Sequence, residues 1–183
     1  MAKDLITLEE YKLYAGISSI EQDDKLASLI SNVSALIKTY CCRSFVDFYD
    51  TPAEEYFNGE YNQLMVREYP IKDVLSVSYS GDYGVTYTEL TSGTNFVIDR
   101  MADVLVLVDG VTRKGVNSIK VQYFGGYEEV PADLKLAALD LVQYYAKSEN
   151  NPKKVNGFVS VEYVISADFP SHIKRVLDLY RTW

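Results

Sequence analysis

His172 is the sole histidine of the chain, and it stands next to Ser171. Serine and histidine are the residue types of a hydrolase, which needs a nucleophile and a base that face each other, with a third group orienting the base. Neighbours on a helix project in different directions. Ser171 also follows Pro170 at what reads as a helix start, where its hydroxyl caps the helix. His172 therefore reads as an exposed helix residue. The acidic pairs Asp23-Asp24, Glu54-Glu55 and Glu128-Glu129 have the chemistry for acid–base work or Mg²⁺ binding. Consecutive carboxylates diverge, however, and these pairs read as helix-start charge and solvated loop. The segment Gly110-Val111-Thr112-Arg113-Lys114-Gly115 looks superficially like a phosphate loop. It lacks the Gly-Lys-Ser/Thr ending and no helix follows, which makes it a hairpin loop. Gly125-Gly126 is too tightly spaced for a dinucleotide fingerprint and ends a strand instead. Cys41 and Cys42 are adjacent, so they could bridge only through a strained ring. Reduced thiols fit a cytosolic protein. With two cysteines and one histidine, the usual metal-ligand spacings are out of reach. No catalytic residue, cofactor or metal is expected.

The elements that carry these residues belong to a chain of 183 residues with 18 basic and 26 acidic side chains, a net charge of −8. Such a balance argues against a protein that grips nucleic acid, which would show a basic face. It does not argue against one that lets DNA pass. At 48% hydrophobic and 24% charged residues the composition is that of a folded protein. A chain of this length buries roughly two-thirds of its surface and needs no disulfide or metal staple. The N-terminus has no apolar leader and no long apolar run occurs, which argues against secretion and membrane spanning. Sixteen tyrosines against seven phenylalanines and one tryptophan suit half-exposed strands or a broad protein contact surface. The acidic excess is concentrated in the middle: residues 51–130 hold 6 basic and 12 acidic groups, residues 131–183 hold 7 and 6.

Thr7-Leu8-Glu9-Glu10 is a capping box, and the helix it opens stops near Gly16. A second helix is expected from near Ser19, with Leu26, Leu29, Ile30, Val33, Ile37 and Tyr40 on one face. From about Phe45 to Tyr127 the period becomes that of strands. Leu75, Val77 and Tyr79 alternate with serines, and Gly81-Asp82-Tyr83-Gly84 is a turn. Phe96 and Ile98 alternate with Asn95, Val97 and Asp99, while Val104–Val108 is apolar on both faces, as a central or covered strand would be. Ile119, Val121 and Tyr123 form another alternating set. Asn58-Gly59 suggests a hairpin between Tyr56-Phe57 and Leu64–Val66. Pro131 opens a third helix with Leu134, Ala137, Ala138, Leu141, Tyr144 and Tyr145 inward. A loop over 148–154, a strand over Val159–Ile165 and a last helix after Pro170 complete the chain, with Ile173, Val176, Leu177 and Tyr180 on one face. The expected fold class is α+β: a bundle of about four helices with an inserted small, mostly antiparallel β region.

Motif order then becomes informative. Ile6-Thr7-Leu8-Glu9-Glu10 leads to the Leu26–Tyr40 helix, which ends in Cys41-Cys42-Arg43-Ser44-Phe45. Arg67-Glu68-Tyr69-Pro70-Ile71 enters the next strand. Ile119–Tyr127 passes through Val130-Pro131-Ala132-Asp133-Leu134-Lys135 into a helix, and Phe169-Pro170-Ser171-His172-Ile173-Lys174-Arg175-Val176-Leu177 leads to Tyr180-Arg181. This order resembles the head–tail connector (adaptor, or head-completion) proteins of tailed bacteriophages over most of the chain.

The resemblance implies a structural virion protein without catalysis, located at the head–tail interface and present in the host cytoplasm during assembly. Its implied partners are the portal protein, the next neck or tail component (a stopper), and further copies of itself in a ring, typically dodecameric. DNA would be only a passing occupant of the channel, and no membrane is involved. The resemblance further implies one connector domain over residues 1–183, its helical core matching 7–42, 131–148 and 170–181. The β region of about 50–127 is a departure from the smallest family members. Family members tend to engage the portal through the C-terminal third, so Ile173, Leu177, Tyr180, Arg181 and Trp183 are the candidate portal-docking residues. For Ile173 and Leu177 the alternative is packing inside their own bundle; Arg181 and Trp183, at the chain end, lean toward an interface. Two other readings stay open: a stopper or tail-completion protein, and a small carboxylate-dependent enzyme.

Overall fold

The computed structural model describes residues 2–59, 61–108, 115–150 and 169–182. The chain divides into two compact units, one helical (residues 3–42 and 130–183) and one built of strands (residues 1–2 and 43–129). The fold is α+β, with four helices and antiparallel sheets among the described residues.

The helical unit begins with α1, Leu8–Ala15. Both halves of the capping box form: the Glu10 amide donates to Thr7 Oγ1 at 3.2 Å and the Thr7 amide to Glu10 Oε2 at 2.8 Å. Gly16 closes the helix at φ 68°, in the left-handed region open to glycine. Helix α2 spans Asp23–Cys41, so it starts four residues later than Ser19. Ser19 Oγ accepts the Glu21 amide at 3.2 Å, a local turn that competes with helix. Leu26, Ile30, Val33 and Ile37 are buried on the expected face. Helix α3, Ala132–Asn150, follows Pro131 and runs past the expected end at 148. Its Leu134, Ala137, Ala138 and Leu141 are buried as the stripe requires. Helix α4 spans Ser171–Tyr180; Pro170, not Ser171, holds the N-cap position, and no side chain caps it.

The β unit holds β1 (Ala53–Phe57), β2 (Gln63–Met65), β3 (Ile71–Tyr79), β4 (Thr88–Glu89), β5 (Phe96–Asp99), β6 (Val104–Leu107) and β7 (Ile119–Gly125). They form two sheets, in the orders β1-β7-β3-β4 and β2-β6-β5, and every pairing between named strands is antiparallel. The core between them includes Leu64, Val77, Phe96, Leu105, Ile119, Val121 and Tyr123.

Two expectations fail here. The Asn58-Gly59 hairpin does not form: β1 pairs with β7 and β2 with β6, so the strands flanking that turn lie in different sheets. Tyr56 and Leu64 each find a better partner far along the chain than across the short connection. Leu75 is also not a core residue; it is 49% exposed. β3 carries register shifts against β7 between Ile71 and Asp73 and between Val74 and Ser76. Each extra residue reverses the alternation, so Val74 packs inward with Val77 and Tyr79 while Leu75 points out. The alternation of Phe96/Ile98 and of Ile119/Val121/Tyr123 holds. The strand expected over 159–165, the loop at 109–114 and residues 151–154 lie outside the described residues.

Candidate functional site

The five C-terminal candidates separate. Ile173 and Leu177 are 1% and 0% exposed, four residues apart on α4 and packed into the helical unit with α2 and α3. Cys41 Sγ, also buried, lies 3.5 Å from the Leu177 carbonyl and donates to it. Tyr180 is half-buried, and its hydroxyl donates to Asp133 Oδ1 at 2.6 Å. Arg181 is exposed, with its guanidinium 5.3 Å from the Tyr40 ring. The Tyr40 hydroxyl donates to Asp178 Oδ1 at 2.5 Å, and that bond pushes its pKa above the ordinary tyrosine value. Beyond the helix, the Thr182 amide donates to the Cys41 carbonyl at 3.1 Å, where α2 ends. Trp183 lies outside the described residues. The structure thus brings Tyr180, Arg181 and Thr182 onto the ends of α2 and α3, while Ile173 and Leu177 anchor α4 from within.

Sequence reasoning missed Leu179, which is 73% exposed. A signal was present: Leu179 falls off the stripe set by Ile173, Val176, Leu177 and Tyr180, and an apolar residue on the polar side of an amphipathic helix points to water or a partner.

A second constellation lies within the β unit, where three sequence motifs meet. Arg43 is 3% exposed and Glu68 4%. The Arg43 guanidinium lies 3.6 Å from the centroid of the Tyr69 ring, 4.9 Å from Phe45 and 5.4 Å from Tyr127. Its Nη2 donates to the Tyr69 carbonyl, while Nε and Nη1 have no hydrogen-bond partner among the described residues. Glu68 does not face this cation; its carboxylate accepts the backbone amides of Ser44 at 2.6 Å and Phe45 at 3.0 Å. The Glu68 amide donates to the Tyr123 hydroxyl at 3.0 Å, and that hydroxyl in turn donates to Glu55. Burial pushes Glu55 above the ordinary carboxylate range, against the bonds from Tyr123 and the Arg67 amide. Burial and the Glu55 charge push Tyr123 up strongly.

The paired glycines seat this node. A Cβ at Gly125 would lie 1.9 Å from the Glu68 carbonyl oxygen. One at Gly126, where φ is +89°, would lie 2.2 Å from the Phe45 carbonyl oxygen. Gly125-Gly126 is therefore the place where the strand end, the Arg43–Phe45 segment and the Glu68–Pro70 segment press backbone on backbone. With Arg43, Phe45, Glu68 and Tyr123 all buried, the node holds the β unit together.

The remaining chemistry candidates are apart from one another. Glu54 and Glu55 point oppositely: Glu54 accepts from the Tyr56 hydroxyl and Gln122 Nε2, while Glu55 faces Tyr123. His172 is exposed, as expected. Among the described residues no cluster of His, Cys, Asp and Glu could hold a metal ion. No helix of the described residues is long and apolar enough to cross a membrane.

Known proteins resemble this chain over nearly its whole length. The head completion protein of Escherichia phage T5 is 26% identical over 187 residues, covering 97% of this chain and 98% of that protein. Among solved structures, a chain in the neck of an empty GTA particle, determined with C6 symmetry, superposes with a TM-score of 0.60 at 14% identity, covering 98% of this chain and 90% of its own. A chain in the neck of the native GTA particle, with C12 symmetry, gives 0.58 at 13%, covering 100% and 96%. These are likenesses of fold. The matched proteins are structural components of particles and not enzymes. The family model for head completion proteins matches residues 4–183. Motif order, α+β fold and full-length match converge, and the chain belongs to the head completion protein family.

Proposed function

We propose that this protein is a head–tail connector of a tailed-phage particle. Copies of it form a ring beneath the portal, extend the DNA channel and present a platform to the next neck component. The observation that carries the reading is the family match over residues 4–183. The neck chains that share its fold come from assemblies with C6 and C12 symmetry, which supports a ring of this chain too. The charge distribution fits the role. The β unit has 7 basic and 14 acidic residues, a net of −7, whereas the helical unit has 11 and 12, a net of −1. An acidic surface toward a channel repels the DNA backbone and avoids phosphate contacts that would stall its passage.

Portal docking falls to the C-terminal end: the exposed Leu179 and Arg181, the half-buried Tyr180, and Trp183, which lies outside the described residues. Ile173 and Leu177 serve it indirectly by holding α4 in place. Light scattering after size exclusion, on this protein mixed with the portal from the same genome, tests the role. A stable complex with many copies of this chain per portal ring is expected. Separate elution of the two at low salt would overturn the portal-docking reading.

A further inference from the structure

The outer face of the β2-β6-β5 sheet carries exposed apolar side chains beside the polar Gln63 and Asp99. Along these strands Leu64, Leu105, Leu107 and Phe96 turn inward to the core of the β unit. The residues between them turn out. Gln63, Val106 and Val97 stand in one cross-strand row, and Met65, Val104 and Asp99 in the next. Met65 is 76% exposed, Val97 42% and Val108 36%, with Val106 half-buried and Val104 buried at 8%. Antiparallel sheets with one solvated face alternate apolar and polar residues, and an apolar outer face marks a contact surface. The run Val104–Val108 reads as a covered strand, yet on its outward side only Val104 is buried, while Val106 is half-buried and Val108 is 36% exposed.

The occupant follows from charge and symmetry. This inference rests on the connector reading, in which identical copies close a ring. A ring joined by rotation needs two different surfaces on each copy, meeting head to tail. Two β units at −7 each would repel one another, so the β unit is better matched by the nearly neutral helical unit. That unit offers apolar residues in water: Leu13 on α1 is 86% exposed and Leu136 on α3 is 50% exposed. Helices α1 and α3 lie side by side there, joined by Tyr14 Oη to Asp140 Oδ1 at 2.6 Å and by Lys135 Nζ to Glu10 Oε1 at 2.7 Å. Leu136 lies between the two α3 residues that make those bonds. We propose that the outer face of the β2-β6-β5 sheet, centred on Met65, Val97 and Val106, is the ring interface and receives the α1–α3 face of a second copy of this chain.

The test compares full-length wild type and M65E/V97E by light scattering on portal from the same genome, with far-UV circular dichroism and thermal melting as folding controls. Both side chains are exposed, so the variant is expected to melt as wild type does while losing the multi-copy species. A variant that assembles like wild type overturns the interface and leaves the connector reading standing. A wild type that never exceeds one copy per complex overturns both. A photoreactive phenylalanine in place of Val97 provides a second measurement in a nearly native background. Adducts mapping to residues 8–20 or 132–147 of another copy are expected. Adducts confined to residues 43–129 of another copy, or none in the assembled complex, overturn the head-to-tail assignment.

Discussion

The Arg43 guanidinium lies 3.6 Å from the centroid of the Tyr69 ring and donates to the carbonyl of the same residue. One side chain therefore ties the segment after α2 to the segment entering β3, across 26 residues of chain. The tie is unusual in lacking a carboxylate: the aromatic faces of Tyr69, Phe45 and Tyr127 take its place. A desolvated cation–π contact is worth roughly 2 kcal/mol or more, and the planar guanidinium stacks as an ammonium cannot.

Replacement of Arg43 by alanine is expected to destabilise the β unit by roughly 2–4 kcal/mol, through lost stacking and a cavity. R43K should recover little of that loss. Urea unfolding followed by tyrosine fluorescence measures both; an R43A midpoint equal to wild type would remove Arg43 from the node.

Among the glycines, position and not residue type decides the cost of substitution. G126A meets both a positive φ and the Phe45 carbonyl at 2.2 Å, and G125A meets the Glu68 carbonyl at 1.9 Å. Each should cost roughly 3 kcal/mol or more, or prevent folding. A Cβ added at Gly93, where φ is +76°, would meet nothing within 4 Å, so G93A should cost only about 1–2 kcal/mol. Thermal melts of the three variants provide the ranking.

Glu55 has a pH signature. Its folded pKa is raised above the ordinary glutamate value of 4.5 by burial. In the window between 4.5 and that higher value the native state binds more protons than the unfolded chain. Stability contributed by this group is therefore greatest at low pH and falls as pH rises through the window. E55Q can still accept from the Tyr123 hydroxyl and should abolish this component. A wild-type-minus-variant stability difference that does not change with pH in this window would show that Glu55 titrates as an ordinary carboxylate.

Asp82 titrates in the opposite sense. Bonds from the Thr86 amide and hydroxyl and from Ser80 lower its pKa to about 2. Its contribution is present above the ordinary aspartate value of 3.8 and is lost as pH falls through about 2. The Thr86 amide should exchange with solvent faster in D82N, with little change in the rest of the β unit. Equal exchange in the two proteins would mean that the turn does not depend on this carboxylate.

Two leucines on α4 separate packing from docking. L177A should cost roughly 2–5 kcal/mol, because its side chain is fully buried. L179D, at a 73% exposed position, should change stability by no more than about 0.5 kcal/mol while weakening portal binding. Chemical denaturation and co-elution with portal measure the two properties independently.

Local chemistry was legible wherever a signal and its consequence lie within one turn. Thr7 and Glu10 close their capping box, Gly16 ends α1, and the stripes of α2 and α3 face inward because helical periodicity fixes which residues share a side. Leu75 was not legible, since a bulge depends on the partner strand and leaves no mark on a run that alternates so cleanly. Nor was the fate of Asn58-Gly59, where distant partners outcompete a good local turn. At the C-terminus, the stripe correctly grouped Ile173 with Leu177 but could not say whether that stripe meets its own bundle or another protein; α2 and α3 bury it.

By itself the sequence determined the family, the helices with their inward faces, and the alternation of β5 and β7, since each rests on short-range periodicity or on motif order. Only the tertiary structure decided that Arg43, Glu68 and Gly125-Gly126 form one node, because burying a cation among aromatic rings and pressing backbone against backbone require segments far apart in the chain. It likewise decided that Val106 and Val108 stay partly exposed while Val104 on the same side is buried, a property of what packs against a strand and not of the strand.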